Sequence, residues 1–409
     1  MTSSAARLKS AGLTLTAVTW LIAALSMLQP LATDLYLPTL PAIARHFDAS
    51  TATVQWTLSA FVAGFGLWQL AAGPLSDRFG RLPVIVAGVA TFCAGSLVCM
   101  LAPSVQVLVF GRLLQALGAC SCLVGARSVV RDLFAPSEGA RLVARAATIM
   151  AFAPLLGPLA GAWLGAAFGW RAAFAALALG SAALALLVLT RLRETLQAPD
   201  PHALAPGPML RNYRRIAAAP AFRAYTAAAA ISYAGLFAYI SGSSFVLMQV
   251  HGLTAQQYAL AFSAMVAGYL LGTLICRRLT AQLPLQHVVV RGALLQAVAG
   301  LVLGGLALGG VHQAWAVAAP MVLYGLSHGI VQPPAQSGAV APFADNAGTA
   351  AALMGFSMMV VAALLGFWIG ASYNGTVYPL TLTIGASSLL SAIVAWVWVR
   401  RDGDVAHHG

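Results

Sequence analysis

The sequence predicts an all-α integral membrane protein with twelve transmembrane helices in two pseudo-symmetric six-helix bundles. Three observations carry that prediction. Hydrophobic residues make up 60% of the 409-residue chain and charged residues 8%, against about 25% charged in an ordinary soluble domain. No folded core hides that much apolar surface from water, so lipid must solvate most of the chain. Apolar stretches recur about every thirty residues, each long enough to cross the hydrocarbon layer. The 22 Lys and Arg residues fall mostly in alternate loops, as the positive-inside rule requires of a multi-pass protein.

In chain order, the spans lie near residues 15–37, 53–75, 82–101, 105–127, 142–168, 172–190, 221–247, 258–276, 287–310, 315–337, 347–373 and 376–399. They are too long and continuous for buried strands and lack the polar–apolar alternation of barrel strands. Helices satisfy their own backbone hydrogen bonds in hydrocarbon and tolerate the frequent Gly and Pro. The first span follows Arg7 and Lys9, as a secretory signal would. It nevertheless runs past signal length into Asp34-Leu35-Tyr36-Leu37-Pro38 without a small-x-small cleavage site, and so reads as a retained helix.

Charge placement orients the chain. With a cytoplasmic N-terminus, Arg45 and Arg171 face outward, Arg112 and Arg127 fall in the fourth span, and the other 22 − 4 = 18 basic residues face inward. Both termini are therefore expected in the cytoplasm. The net charge of +12 labels one side of the membrane and needs no nucleic acid. Residues 191–220, rich in Arg and Pro, read as a cytoplasmic linker between an N-terminal bundle, 1–190, and a C-terminal bundle, 221–409. Gly73-x-Leu75-x-x-Arg78 after the second span is echoed by Gly272-x-Leu274-x-x-Arg277 after the eighth. The equivalent placement favours a duplicated six-helix unit, a common construction in secondary transporters.

The loop after the second span reads Gly73-Pro-Leu-Ser-Asp77-Arg78-Phe-Gly80-Arg81-Leu-Pro83. Gly73 and Gly80 permit close backbone approach and a tight turn. Asp77 can accept hydrogen bonds from a neighbouring helix N-terminus, while Arg78 and Arg81 can hold carboxylates or lipid headgroups. The fourth span carries Arg112-Leu-Leu-Gln115-Ala-Leu-Gly118, and the fifth carries Gly157-Pro158-Leu-Ala-Gly161-Ala-Trp-Leu-Gly165. Small residues at 157, 161 and 165 lie on one helix face that another helix can approach closely, and Pro158 permits a bend. The first of these runs closely resembles the signature loop of the major facilitator superfamily, with Leu82 where a second basic residue is common. The fourth-span run is similar to another superfamily signature, with Ala116 at a usual glycine. The fifth-span run is similar to the motif of drug:proton antiporters. Asp34-Leu-Tyr36-Leu37-Pro38-Thr-Leu-Pro41 resembles the hallmark of their bicyclomycin/chloramphenicol-resistance (Bcr/CflA) subgroup. Motif support is concentrated in residues 34–165.

Asp34 is the only acidic residue well inside an apolar segment. A carboxyl group in hydrocarbon costs several kcal/mol unless it is paired, hydrated or protonated, and such residues usually serve function. Arg112 stands at similar depth and is the expected proton-coupling partner; the structural readings are an ion pair at the outer interface for Asp34 and a helix tether for Arg112. His328 is the only histidine in a span, able to join proton traffic or to serve as a hydrogen-bonded core residue. Tyr36, Trp56, Phe61, Gln115, Tyr233, Tyr239, Gln332, Met354 and Met358 are further candidates for a substrate cavity; for any single one, lipid-facing or core packing is the competing reading.

Five scattered cysteines make neither a disulfide framework nor a metal site. No P-loop exists, Lys9 is the only lysine, and no hydrolase constellation is present, so the chain is expected not to be an enzyme. The resemblance implies efflux of small, relatively apolar antibiotics, chloramphenicol-, florfenicol- or bicyclomycin-like, across a bacterial inner membrane. It would exchange them for protons without a cofactor, the proton gradient supplying the energy. The expected partners are drugs, protons and lipid, with the chain working as a monomer. The alternatives are a proton-coupled exporter of a metabolite such as an amino acid or sugar, and a membrane sensor or scaffold that does not transport.

Overall fold

Helices start where caps and breakers interrupt the apolar runs. The computed structural model describes residues 14–311 and 313–403; Arg7 and Lys9 lie outside them. Helix α1 (Leu15–Asp34) opens on Thr14, whose hydroxyl accepts the Ala17 N–H. It stops at Asp34 because the proline-punctuated motif that follows forms a 3-10 turn (Leu37–Thr39) and a short helix, α2 (Leu40–His46). Then come α3 (Thr51–Phe79), α4 (Arg81–Leu101) and α5 (Val105–Leu133). The fifth span is two helices, α6 (Pro136–Met150) and α7 (Phe152–Phe168), and α8 (Arg171–Arg191) completes the sixth.

Part of the linker is itself helical: α9 (Pro206–Ala218) exposes Arg211, Arg214 and Arg215 and buries Ile216. It is followed by α10 (Pro220–Phe245), α11 (Ala255–Thr280), α12 (Leu285–Leu308), α13 (Ala314–Val340), α14 (Ala347–Ser372) and α15 (Tyr378–Val394). A capping box, Thr254 with Gln257, starts α11. Among the described residues, 11 continuous helical stretches are long and apolar enough to cross a membrane. One of them, Ala314–Ser372, contains both α13 and α14 across a 3-10 turn. Those helices have 27 and 26 residues, each enough to cross about 30 Å of hydrocarbon, so the twelve expected spans are present.

Packing gathers the chain into two compact units. One comprises residues through Tyr36 together with Gly64–Met209; the other comprises Leu37–Ala63 together with residues from Leu210 onward. In the first, α4 and α5 meet backbone to backbone at Gly88, Gly95, Gly111 and Gly118, the small-residue packing that membrane helices use where water supplies no driving force. In the second, Gly268 and Gly272 of α11 meet the backbone of α13 in the same way. Gln55 donates its side-chain N–H to the Ser241 carbonyl at 3.1 Å, tying the start of α3 to α10. Large apolar side chains such as Leu101, Phe168, Leu179 and Leu308 lie exposed, as solvation by lipid requires.

Candidate functional site

Asp34 is the last residue of α1 and is 5% exposed. Its carboxylate accepts the Thr33 hydroxyl at 3.0 Å. That hydroxyl also lies 2.9 Å from the Pro30 carbonyl, so a single proton is divided between the backbone and the carboxylate. Asp34 makes no ion pair with Arg112, the partner expected from the sequence.

Arg112 works on the same helix end by another route. Fully buried, it donates from Nη1 to the Ala32 carbonyl at 2.8 Å and to Gln115 Oε1 at 2.7 Å, and its guanidinium lies 4.8 Å from the centre of the Tyr36 ring. The last carbonyls of a helix have no intrahelical donor and carry partial negative charge; Arg112 supplies the donor two residues before Asp34. Gln115 passes the connection on, donating to Ser96 Oγ of α4 at 2.8 Å. Tyr36 rests on Phe174 of α8, with centroids 5.5 Å apart. Asp34 and Arg112 are thus linked through the final turn of α1.

The fifth-span glycines lie against this turn. A Cβ added at Gly157 would sit 3.2 Å from the Asp34 Cβ, and one at Gly161 would overlap the Leu35 carbonyl. Pro158, buried between them inside α7, removes the backbone donor that would otherwise meet the carbonyl one turn earlier and so permits a bend. The antiporter-like motif is therefore the surface on which the Asp34–Leu35 backbone rests.

The second unit brings several cavity candidates together. His328 Nδ1 is 2.8 Å from Ser232 Oγ, which receives Gln296 Nε2 at 2.9 Å, while Gln296 Oε1 accepts from Ser391 at 3.1 Å. Ser232 Oγ thus joins His328 to Gln296, and which of the serine and the imidazole donates follows the tautomer of His328. The rings of Tyr233 and Tyr269 lie 6.2 and 5.8 Å from His328. One turn along α13, Gln332 Nε2 lies 3.4 Å from the Met358 sulfur, and its Oε1 is buried without a partner among the described residues. Met354 and Met358 belong to one buried apolar cluster, with Tyr233 packed against it. Other candidates lie elsewhere. Phe61 is fully buried, Trp56 is 53% exposed with its ring 5.7 Å from that of Phe367, and Tyr239 stacks on Phe262 at 6.0 Å with its hydroxyl buried and unpartnered among the described residues.

At the other end of α3, the signature loop forms a clamp. Arg81 Nη1 reaches Asp77 at 2.5 Å and Ser76 Oγ at 3.2 Å, and its Nε reaches Asp132 at 2.9 Å. Arg131 adds a longer contact to Asp77 at 3.7 Å. Gly80 has φ +100°, the left-handed region that favours glycine. Two details differ from the sequence reading. Gly73 has open space where a Cβ would be, so no close approach depends on it. Asp77 binds arginines, and the helix N-terminus beside it is served by Glu194, whose Oε1 accepts from Arg81 N and Oε2 from Leu82 N, both at 3.0 Å.

The model of the Major Facilitator Superfamily matches residues 22–367. The chain belongs to this superfamily of membrane transporters. It is 26% identical over 378 residues to the bicyclomycin resistance protein homolog of Haemophilus influenzae, covering 92% of this chain and 95% of that one. It is 28% identical to the chloramphenicol resistance protein of Pseudomonas aeruginosa over 351 residues, covering 83% and 80%. In fold it is similar to the D-xylose–proton symporter, with a TM-score of 0.76 at 14% identity over 95% of this chain and 98% of that one.

Sequence reasoning on this superfamily member missed Asp132, Glu194 and Thr195 at the clamp, and Ser232 and Gln296 beside His328. Asp132 and Glu194 were visible only as acids at span ends, a position shared by most acids here. Ser and Gln carry no charge to stand out against an apolar run.

Proposed function

We propose that this transporter exports small, relatively apolar antibiotics from a bacterial cytoplasm in exchange for protons, with Asp34 as the proton-carrying group. The observation that carries the reading is a buried carboxyl at a helix end that has a shared hydroxyl donor and, among the described residues, no ion pair. Protonation is one way to hold an unpaired carboxyl in hydrocarbon. The names of the two resistance-protein relatives support the cargo class. Tyr233, Met354 and Met358 offer adaptable apolar surface, and the open oxygen of Gln332 suits a cargo hydroxyl or amide N–H.

In the proposed cycle, the Asp34 carboxylate takes a proton from the outer side and becomes a neutral acid. This relieves the charge beside the turn held by Arg112. Return of Asp34 to the inner side releases the proton and permits drug loading. The cycle needs only that proton and drug differ in affinity between the two facings. The transporter would work as a monomer in the inner membrane, with both termini cytoplasmic and no cofactor.

Reconstituted vesicles test the reading. Drug addition should release protons with the wild type, and Asp34→Asn should abolish that release while the protein stays folded. Full exchange by the Asn variant rejects Asp34 as the carrier, and a wild type that moves no protons rejects proton coupling.

A further inference from the structure

The start of α4 poses a capping problem. A helix leaves its first backbone N–H groups without intrahelical acceptors, and its cap residue, Gly80, has no side chain to offer. The Gly80 N–H bonds to the Ser76 carbonyl, and Pro83 has no N–H. Arg81 and Leu82 remain, and one carboxylate far along the chain takes both: Glu194 Oε1 accepts from Arg81 and Oε2 from Leu82, each at 3.0 Å. Glu194 Oε1 also accepts from Thr195 N at 2.9 Å and Leu196 N at 2.8 Å, so the same group folds the first turn of the linker. A negative charge is favoured here by the positive end of α4.

The linker is attached to the clamp at three further points. The Thr195 hydroxyl donates to Asp132 Oδ2 at 3.1 Å, the same oxygen that receives Arg81 Nε. Asp200 N donates to the Asp77 carbonyl at 3.0 Å, and Arg78 Nη1 donates to the Pro201 carbonyl at 3.0 Å. Gly80 completes the fit, because a Cβ there would lie 2.5 Å from Glu194 Oε2.

We propose that residues 194–201 are a strap that positions the signature loop, with Glu194 as the positioning residue that joins the linker to the start of α4. The Asp77–Arg81–Asp132 clamp and the linker then hold or release as one element, and the linker takes part in the switch. This does not depend on what is transported or on proton coupling.

Amide hydrogen exchange of the full-length protein in detergent tests the strap. In Glu194→Ala, the amides of Arg81 and Leu82 and those of Thr195, Leu196 and Asp200 should all exchange about tenfold faster or more, as loss of charge-assisted hydrogen bonds predicts. Glu194→Gln keeps one acceptor oxygen and should fall between Ala and wild type. Unchanged protection in α12 shows that each variant is folded. Thr195→Val removes only the hydroxyl bond to Asp132 and leaves the Glu194 bonds in place, so Arg81, Leu82, Thr195 and Leu196 amides should all stay protected. Acceleration confined to Thr195, Leu196 and Asp200 in Glu194→Ala, or no acceleration, overturns the proposal. A purely local structural role for Glu194 would loosen its own turn without reaching the amides of Arg81 and Leu82.

Discussion

Arg112 and Asp34 divide one helix end between them, the arginine bonding the Ala32 carbonyl and the aspartate ending the turn. Lysine at 112 keeps the charge but loses the planar guanidinium that lies over Tyr36 while its Nη1 meets both Ala32 and Gln115. Arg112→Lys should therefore lower stability by about 1–3 kcal/mol, read as a lower melting temperature in detergent; an unchanged melt would show that the planar group is not needed. Gln332→Leu should behave in the opposite way. It removes a buried oxygen that has no partner, so stability should hold or rise by up to about 1 kcal/mol while resistance to hydroxyl-bearing drugs falls. Equal resistance in a drug panel would remove Gln332 from the cargo surface. Burial alone would raise the Glu194 carboxyl, but the backbone donors Leu196, Arg81, Leu82 and Thr195 hold it below its ordinary value of 4.5. Its contribution is thus fully present above about pH 4.5 and lost as pH falls through the lower folded value. Protection of the Arg81 and Leu82 amides should follow that profile, and should lose its acid edge in Glu194→Gln. At this scale, Asp34 and Arg112 stood out in the sequence because charges inside apolar runs are rare. Glu194 did not, because its partners are backbone amides 112 and 113 residues away.

At the scale of elements, the length of the apolar runs located every span, while their packing came from the fold. α7 lies on the Asp34–Leu35 backbone at the end of α1, and two glycines make that approach possible. Gly161→Ala places a methyl group against the rigid Leu35 carbonyl and should cost about 1–3 kcal/mol. Gly180→Ala, in α8 with nothing within 4 Å of the new Cβ, should be neutral or stabilise by up to about 1 kcal/mol. Comparing the two melts separates close packing from helix propensity, and equal shifts would contradict the α1–α7 contact. Within the stretch whose Arg and Pro content read as a cytoplasmic linker, α9 forms because burial of Ile216 in the apolar cluster rewards one helical face.

For the whole molecule, the distribution of arginines is the ground for proposing cytoplasmic termini. A C-terminal fluorescent-protein fusion should fluoresce, and a C-terminal alkaline phosphatase fusion should be inactive, if that end is cytoplasmic; the reverse would overturn the orientation. The sequence alone determined that the chain crosses a membrane as helices, how many times, and which few charges lie within the spans, because hydrocarbon imposes those limits residue by residue. Tertiary structure decided the partners: Arg112 on a backbone carbonyl rather than on Asp34, Glu194 rather than Asp77 at the start of α4, and Gln332 with an open oxygen beside Met358. A hydrogen bond is made across a few ångströms of space, often to a backbone group that every residue carries, and only folding brings such a donor to its acceptor.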